Sequence, residues 1–126
     1  MRRMLLLGVL LAATVSCRQG NPTEPPLPPG NSALTGRIDG GNSAVLRWTQ
    51  CPDDNFLRYR LYRADSPGVQ RNPDRATLLM ETGERNRLEH TDPGLPPGRW
   101  YYALETENDF HLTSWSNEVH LETGGR

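Results

Sequence analysis

Lysine is absent from this 126-residue chain: all fourteen basic side chains are arginine, set against fifteen Asp and Glu for a net charge of −1. The arginines are interleaved with carboxylates, so no basic field builds up and nucleic acid is excluded as a partner. Cysteine is scarce, and Cys17 and Cys51 allow one disulfide at most. Long hydrophobic runs are missing as well. The one sustained apolar run, Met4 to Val15, has twelve residues and is too short to cross a bilayer core of about 30 Å as a helix. Helical periodicity is not sustained anywhere beyond Ser32. The three histidines, His90, His111 and His120, form no His-x-x-x-His pair and none lies near a cysteine. There is no Gly-x-Ser-x-Gly elbow and no phosphate-cradling glycine loop. Metal, hydrolytic and nucleotide chemistry therefore have no carrier, no cofactor is expected, and the chain reads as a non-enzyme.

What is present begins at the N-terminus. Arg2 and Arg3 precede the apolar run, which stops at Thr14-Val15-Ser16-Cys17, the three-part build of a secretory signal. The cysteine at this point resembles the lipobox of bacterial lipoproteins, in which the cysteine is lipidated and becomes the first mature residue. The resemblance implies an exported chain, residues 1–16 as the signal peptide, and Cys17 as a lipid anchor in the bacterial cell membrane. Arg18 stands where an inner-membrane retention signal would place Asp, which points to the outer membrane. Removing residues 1–16 takes the net charge from −1 to −3. A lipid on Cys17 leaves Cys51 as a lone thiol, read as a small filler at a strand end. Without the lipid, the two cysteines are free to pair in an exported setting.

Residues 17–32 carry the anchor and a proline-rich linker, Arg18 to Ser32, with five prolines and one large apolar side chain. Such a segment buries too little surface to fold and reads as a tether, extending about 3.1 Å per residue in polyproline II form. One small domain follows over 33–123, with 124–126 as a tail.

Within the domain, short segments of alternating polarity recur between Gly, Pro, Asp and Asn clusters, an all-β signature. The segments are Ala33 to Ile38, Ala44 to Trp48, Phe56 to Arg63, Ala76 to Glu81, Arg87 to Thr91, Arg99 to Glu107 and Glu118 to Thr123. Alternation sends Trp48, Tyr59, Leu61, Leu78, Met80, Leu88, His90, Trp100, Tyr102, Leu104, Val119 and Leu121 inward and leaves Arg58, Arg60, Glu105 and Glu107 outside. Seven short strands with a tryptophan on the second predict a two-sheet sandwich.

The ordered landmarks AVLRW, YRLYRA, TDPGLPPGRWYYALETEN and SWSNEV resemble those of a fibronectin type III domain. The resemblance implies a seven-stranded immunoglobulin-like β-sandwich, with Trp48 inward on the second strand. It also implies an LPPG corner at Leu95 to Gly98, and Trp100 and Tyr102 packed on the core behind it. It further implies a role in spacing, adhesion or recognition.

Two candidate sites lie in the loops after the second and sixth strands, which come from the same end of such a sandwich. Asp53, Asp54 and Asp109 offer carboxylates to Ca²⁺, yet they supply few of the six to eight oxygens it takes, so turn formation is the reading and no metal is assigned. Phe56, Phe110, Leu112 and Trp115 gather apolar groups on or beside those loops and form the candidate binding patch. Its expected occupant is an envelope protein, with a polysaccharide as the alternative; oligomeric state stays open.

Overall fold

The computed structural model describes residues 24–124; residues 1–23, Cys17 among them, and the last two residues of the tail lie outside the described residues. Eight strands follow in order: β1 (Leu34–Asp39), β2 (Ser43–Trp48), β3 (Phe56–Ala64), β4 (Thr77–Thr82), β5 (Glu89–Asp92), β6 (Gly98–Asn108), β7 (Thr113–Trp115) and β8 (Val119–Thr123). A 3₁₀ turn, Pro73–Arg75, precedes β4. All pairings are antiparallel. One sheet runs β1-β2-β5; the other runs β4-β3-β6-β7, with β8 also on β6.

The two last strands are halves of one. β7 pairs with Glu105–Glu107 and β8 with Gly98–Tyr102, end to end along the same side of β6. The seven expected strands thus appear as eight segments. Ser116 carries the ladder across the break: its N–H donates to the Leu104 carbonyl at 2.8 Å and its hydroxyl accepts from the Leu104 N–H at 2.9 Å. Asn117 then turns away to the other sheet, where its amide accepts from the Leu34 N–H at 2.8 Å and donates to the Leu34 carbonyl at 2.9 Å. A side-chain amide here replaces a strand partner, and it ties β1 to the facing sheet.

The core lies between the sheets. Leu34, Ala44, Leu46, Trp48, Cys51, Tyr59, Leu61, Met80, Leu95, Tyr102 and Leu104 are buried, with Trp100, Val119 and Leu121 packed against them. Trp48 and Tyr59 meet edge to face at 5.9 Å. The Tyr59 hydroxyl accepts from the Cys51 N–H and donates to the Arg85 carbonyl, both at 2.9 Å, so one buried phenol fastens two loops. Cys51 is fully buried, more so than a strand-end filler requires, and burial pushes its thiol pKa up. β1 approaches closely enough that a Cβ at Gly36 would stand 2.9 Å from Leu46 Cδ1 and 3.2 Å from Leu121 Cδ1.

One inward assignment fails. The register between β3 and β4 shifts between Leu61 and Tyr62, so that Leu61 faces Met80 while Tyr62 faces Leu78. The bulge reverses the phase of β4 at this point: Met80 is buried and Leu79 packs on the core, whereas Leu78 is 46% exposed on the outer side.

At the far end of the core, Arg63 on β3 makes two hydrogen bonds to the Asp92 carboxylate at 3.1 and 3.0 Å. Tyr102 on β6 donates to the same carboxylate at 2.9 Å. Asp92 belongs to the opposite sheet and is buried, so this cluster clips the two layers together. Arg63 also lies 5.1 Å over the Trp100 ring.

The domain's contacts begin before Ala33. Asn108 donates to the Leu27 carbonyl at 2.8 Å, Ser114 donates to the Pro29 carbonyl, and Asn31 donates to the Trp115 carbonyl at 3.4 Å. On its other side, the Gly30 N–H donates to Asp53 at 2.7 Å. Leu27 to Asn31 therefore runs beside β7 and covers what would be an open sheet edge. The expected tether is held to the domain over its last residues, which shortens the part left to act as spacer.

Candidate contact surface

Two surfaces present apolar groups, and both follow from strand alternation and turns. The first is the outer face of the β4-β3-β6-β7 sheet. Arg58, Arg60 and Tyr62 project outward from β3. Register sets Arg58 opposite Glu107, Arg60 opposite Glu105 and Glu81, Tyr62 opposite Ala103 and Leu78, and Trp115 opposite Glu105. Arg60 reaches Glu107 at 3.0 Å, Glu105 at 3.4 Å and Glu81 at 3.7 Å, while Arg58 reaches Glu81 at 3.4 Å and Glu107 at 3.7 Å. Burial works against the Arg60 charge, but the Glu107, Glu81 and Glu105 carboxylates together more than offset it and raise its pKa. Both arginines are fully engaged, and three carboxylates against two guanidinium groups leave the ladder with one negative charge in excess.

Beside this ladder the Tyr62 and Trp115 rings lie 5.5 Å apart at a tilt of 38°. Tyr62 also points its hydroxyl at Glu105, 3.5 Å away, and burial followed by the Glu105 charge pushes its pKa up. Together with Leu78, which register sets opposite Tyr62, the two rings form an apolar strip on the outer face of the sheet.

The second surface is the pole where the N-terminal segment and the β2–β3 and β6–β7 loops meet. The β6–β7 hairpin is built around Asn108, which is 1% exposed. Its side-chain oxygen accepts from the Phe110 N–H at 3.0 Å and the Leu112 N–H at 3.1 Å. The loop ends with His111 at φ 63°, the left-handed conformation that glycine adopts without strain. Its ring places Nδ1 2.7 Å from Glu107. This His111 contact first, then Arg60 and Arg58, holds the Glu107 carboxyl below the usual range against the opposing effect of burial.

The four patch residues read from the sequence do not form one surface. Phe56 turns inward, its ring 4.6 Å from Tyr59, and packs on the core. Phe110 is 58% exposed at the hairpin tip, and Leu112 is half-buried beside it. Trp115 belongs to the outer sheet face. Tyr62, Leu78, Leu27 and Asn108 were not among the candidates, although the alternation of β3 already places Tyr62 with the outward arginines. Leu27 carried no such signal, because a linker has no period.

The acidic trio is likewise apart in role. Asp53 caps Gly30, Asp54 stands fully in solvent 3.7 Å from Arg85, and Asp109 is exposed in the hairpin. Among the described residues no group of three or more His, Cys, Asp or Glu is placed to hold a metal ion.

The histidines occupy β5, the β6–β7 loop and β8. His90 is half-buried, with Arg87 donating toward its Nδ1 at 3.3 Å, a geometry that requires the neutral ring. Burial, then the Arg87 charge, lowers its pKa. Its folded value lies below the unfolded value of about 6.5, so the unfolded chain binds the proton first. His90 therefore costs no stability above that value, and stability falls as the pH drops from there toward the lower folded pKa. Denaturant titrations from pH 7.5 to 5 should show this loss, and His90→Gln should flatten it.

No protein-family profile matches the chain, and no curated protein is similar to it. Solved structures are. The sixth fibronectin type III domain of human fibronectin type III domain containing protein 3 superposes with a TM-score of 0.65 at 13% identity, covering 82% of this chain and 93% of that one. An Fn3-like protein from Clostridium thermocellum does so at 0.57 and 21% identity, covering 80% and 96%. Pectate lyase PelI from Erwinia chrysanthemi, solved in complex with tetragalacturonic acid, superposes at 0.60 and 15% identity over 72% of this chain. The chain spans only 28% of that lyase's length. The fold is the fibronectin type III-like, immunoglobulin-like β-sandwich.

Proposed function

We propose that this protein is an envelope lipoprotein, held in the membrane by lipid on Cys17, whose sandwich makes non-catalytic protein contacts through the outer face of the β4-β3-β6-β7 sheet. The observation that carries the contact reading is the Tyr62–Trp115 strip, continued by the exposed Leu78 and bordered by the paired Arg58 and Arg60. Aromatic rings and arginine are the groups that dominate binding energy at protein interfaces, and a preorganised ion-pair border fixes register. Cys17 follows a basic and apolar leader of the right build, and several acyl chains at about 0.8 kcal/mol per buried CH₂ give firm anchoring.

The test has two parts. Intact mass of the protein purified from membranes should begin at Cys17 and include acyl groups, and Cys17→Ala should remove them. With the anchor intact, a photo-crosslinker replacing Trp115 should trap a defined envelope protein that is lost when Arg60→Glu inverts the border. An unmodified mass in the soluble fraction would refute the anchoring.

A second reading, a carbohydrate-binding accessory module, is favoured by one observation: a half-exposed pair of rings also suits the face of a sugar, and a similar sandwich occurs within a pectate lyase. Addition of polygalacturonate should quench or shift Trp115 fluorescence if this reading holds and leave it unchanged if the surface binds protein. Trp115→Phe, which removes the reporter and keeps the fold, identifies the signal.

A further inference from the structure

We propose that the pole at which the N-terminal segment joins the sandwich rests on the lipid surface, with Leu27 and Phe110 seated among the headgroups of a zwitterionic bilayer. This rests on the reading of Cys17 as the lipidated residue. Three large apolar side chains are exposed among the described residues, Leu27 at 76%, Phe110 at 58% and Leu78, and two of the three stand at this pole. They are brought together by one buried amide: Asn108 donates to the Leu27 carbonyl and accepts from the Phe110 N–H. Phe110 is also held at a fixed hairpin tip, since the His111 N–H donates to the Asn108 carbonyl at 2.9 Å and the Asn108 N–H to the Leu112 carbonyl at 3.0 Å. Its ring therefore has no route into the core, and a solvated tip would favour a polar residue at that position.

Chain length selects the occupant. Leu27 is the tenth residue after Cys17, and even fully extended this stretch spans at most about 36 Å. Leu27 itself is fastened to the domain, so the anchor draws this pole toward the bilayer and leaves the opposite pole, with the Asp39–Asn42 turn, facing away. Apolar groups at an interface typically sit about 5 to 10 Å into the boundary between headgroups and acyl chains, and an anchored domain meets that boundary without a further loss of translational freedom. Charge narrows the lipid type. Asp53, Asp54 and Asp109 border the pole, and Arg85, which donates to the Asp53 backbone carbonyl and lies 3.7 Å from the Asp54 carboxylate, offsets only one of the three charges, so an anionic surface would be repelled while a zwitterionic one is not.

Bromine-labelled phosphatidylcholine vesicles carrying the full mature protein provide the test. Phe110→Trp adds a reporter at the pole, Leu27→Trp a second in case the hairpin does not tolerate the larger ring, and Asn42→Trp a control at the far turn. The emission added at 110 or 27 should be lost to bromine quenching while that at 42 survives, and admixed phosphatidylglycerol should weaken the quenching. If the added emission survives at 110 and 27 in protein whose mass carries the acyl groups, the pole proposal falls and the anchoring reading stands; that pole then belongs to a protein partner. Protein that carries no acyl mass overturns both. Stronger quenching with phosphatidylglycerol would overturn the choice of a zwitterionic surface.

Discussion

Trp48→Ala should remove a large share of the domain's stability. Truncating a buried tryptophan costs about 3 to 5 kcal/mol, against a total of about 5 to 15 kcal/mol for a whole domain. Trp48 is 5% exposed and packs edge to face on Tyr59, whose hydroxyl in turn holds the Cys51 and Arg85 loops. The hole therefore opens beside the buried phenol whose two hydrogen bonds fasten these loops. Loss of the cooperative transition in urea, or an unfolding free energy lower by about 3 to 5 kcal/mol, would confirm it. A loss of stability under about 1 kcal/mol would show that the surrounding side chains collapse into the space, and would overturn the expectation of a lasting cavity. Trp48→Phe offers a finer comparison. The indole N–H of Trp48 has no hydrogen-bond partner among the described residues, so phenylalanine loses volume but also relieves a buried donor, and its cost should be well below that of alanine.

The second large effect is expected at Asp92. Asp92→Ala strips two partners at once, leaving Arg63 without its carboxylate and the buried Tyr102 hydroxyl without an acceptor. Removing one member of a buried ion pair costs about 3 to 5 kcal/mol, and because the Arg63 side chain is 24% exposed and regains some water, about 2 to 4 kcal/mol is expected here. Asp92→Asn keeps an acceptor for Tyr102 and should fall between the parent and alanine. Tyr102→Phe removes only a neutral donor and should cost about 1 kcal/mol. Burial, followed by the Asp92 hydrogen bond, pushes the Tyr102 pKa far above its ordinary value, so the phenol remains a donor across the working pH range. Urea midpoints for the three variants in that order would establish the clip between the sheets. An Asp92→Ala midpoint no lower than that of Tyr102→Phe would show that Arg63 finds another partner at no cost.

Both sites show how far pattern carries. Alternation on β3 and β6 placed Tyr59, Leu61, Tyr102 and Leu104 on the inside correctly, because a pleated strand with one buried face leaves a period of two in the residues themselves. The same rule failed on β4, where a bulge set by the partner strand shifted the phase and put Leu78 outside. The split of the last strand was also hidden, because the break is held by Ser116 and Asn117 against Leu104 and Leu34, residues distant in the chain. For the candidate surfaces the sequence was right about which residue types matter and less so about where they go. Phe56 opens β3 and Phe110 stands in the neighbouring β6–β7 loop, with equal apolar character, yet one packs on Tyr59 and the other stands in solvent.

The sequence by itself determined the all-β class, the inward face of the central strands and the position of Trp48, since these follow from local periodicity and the turns between segments. Tertiary structure alone decided which outward residues form a surface. Tyr62 and Trp115 become neighbours through the β3-β6-β7 pairing, and Leu27 and Phe110 through a single buried asparagine 81 residues from the former. The physical reason is that burial on one face of a strand is written into adjacent residues, whereas proximity across strands depends on register and on side-chain hydrogen bonds that exist only once the sheets have closed.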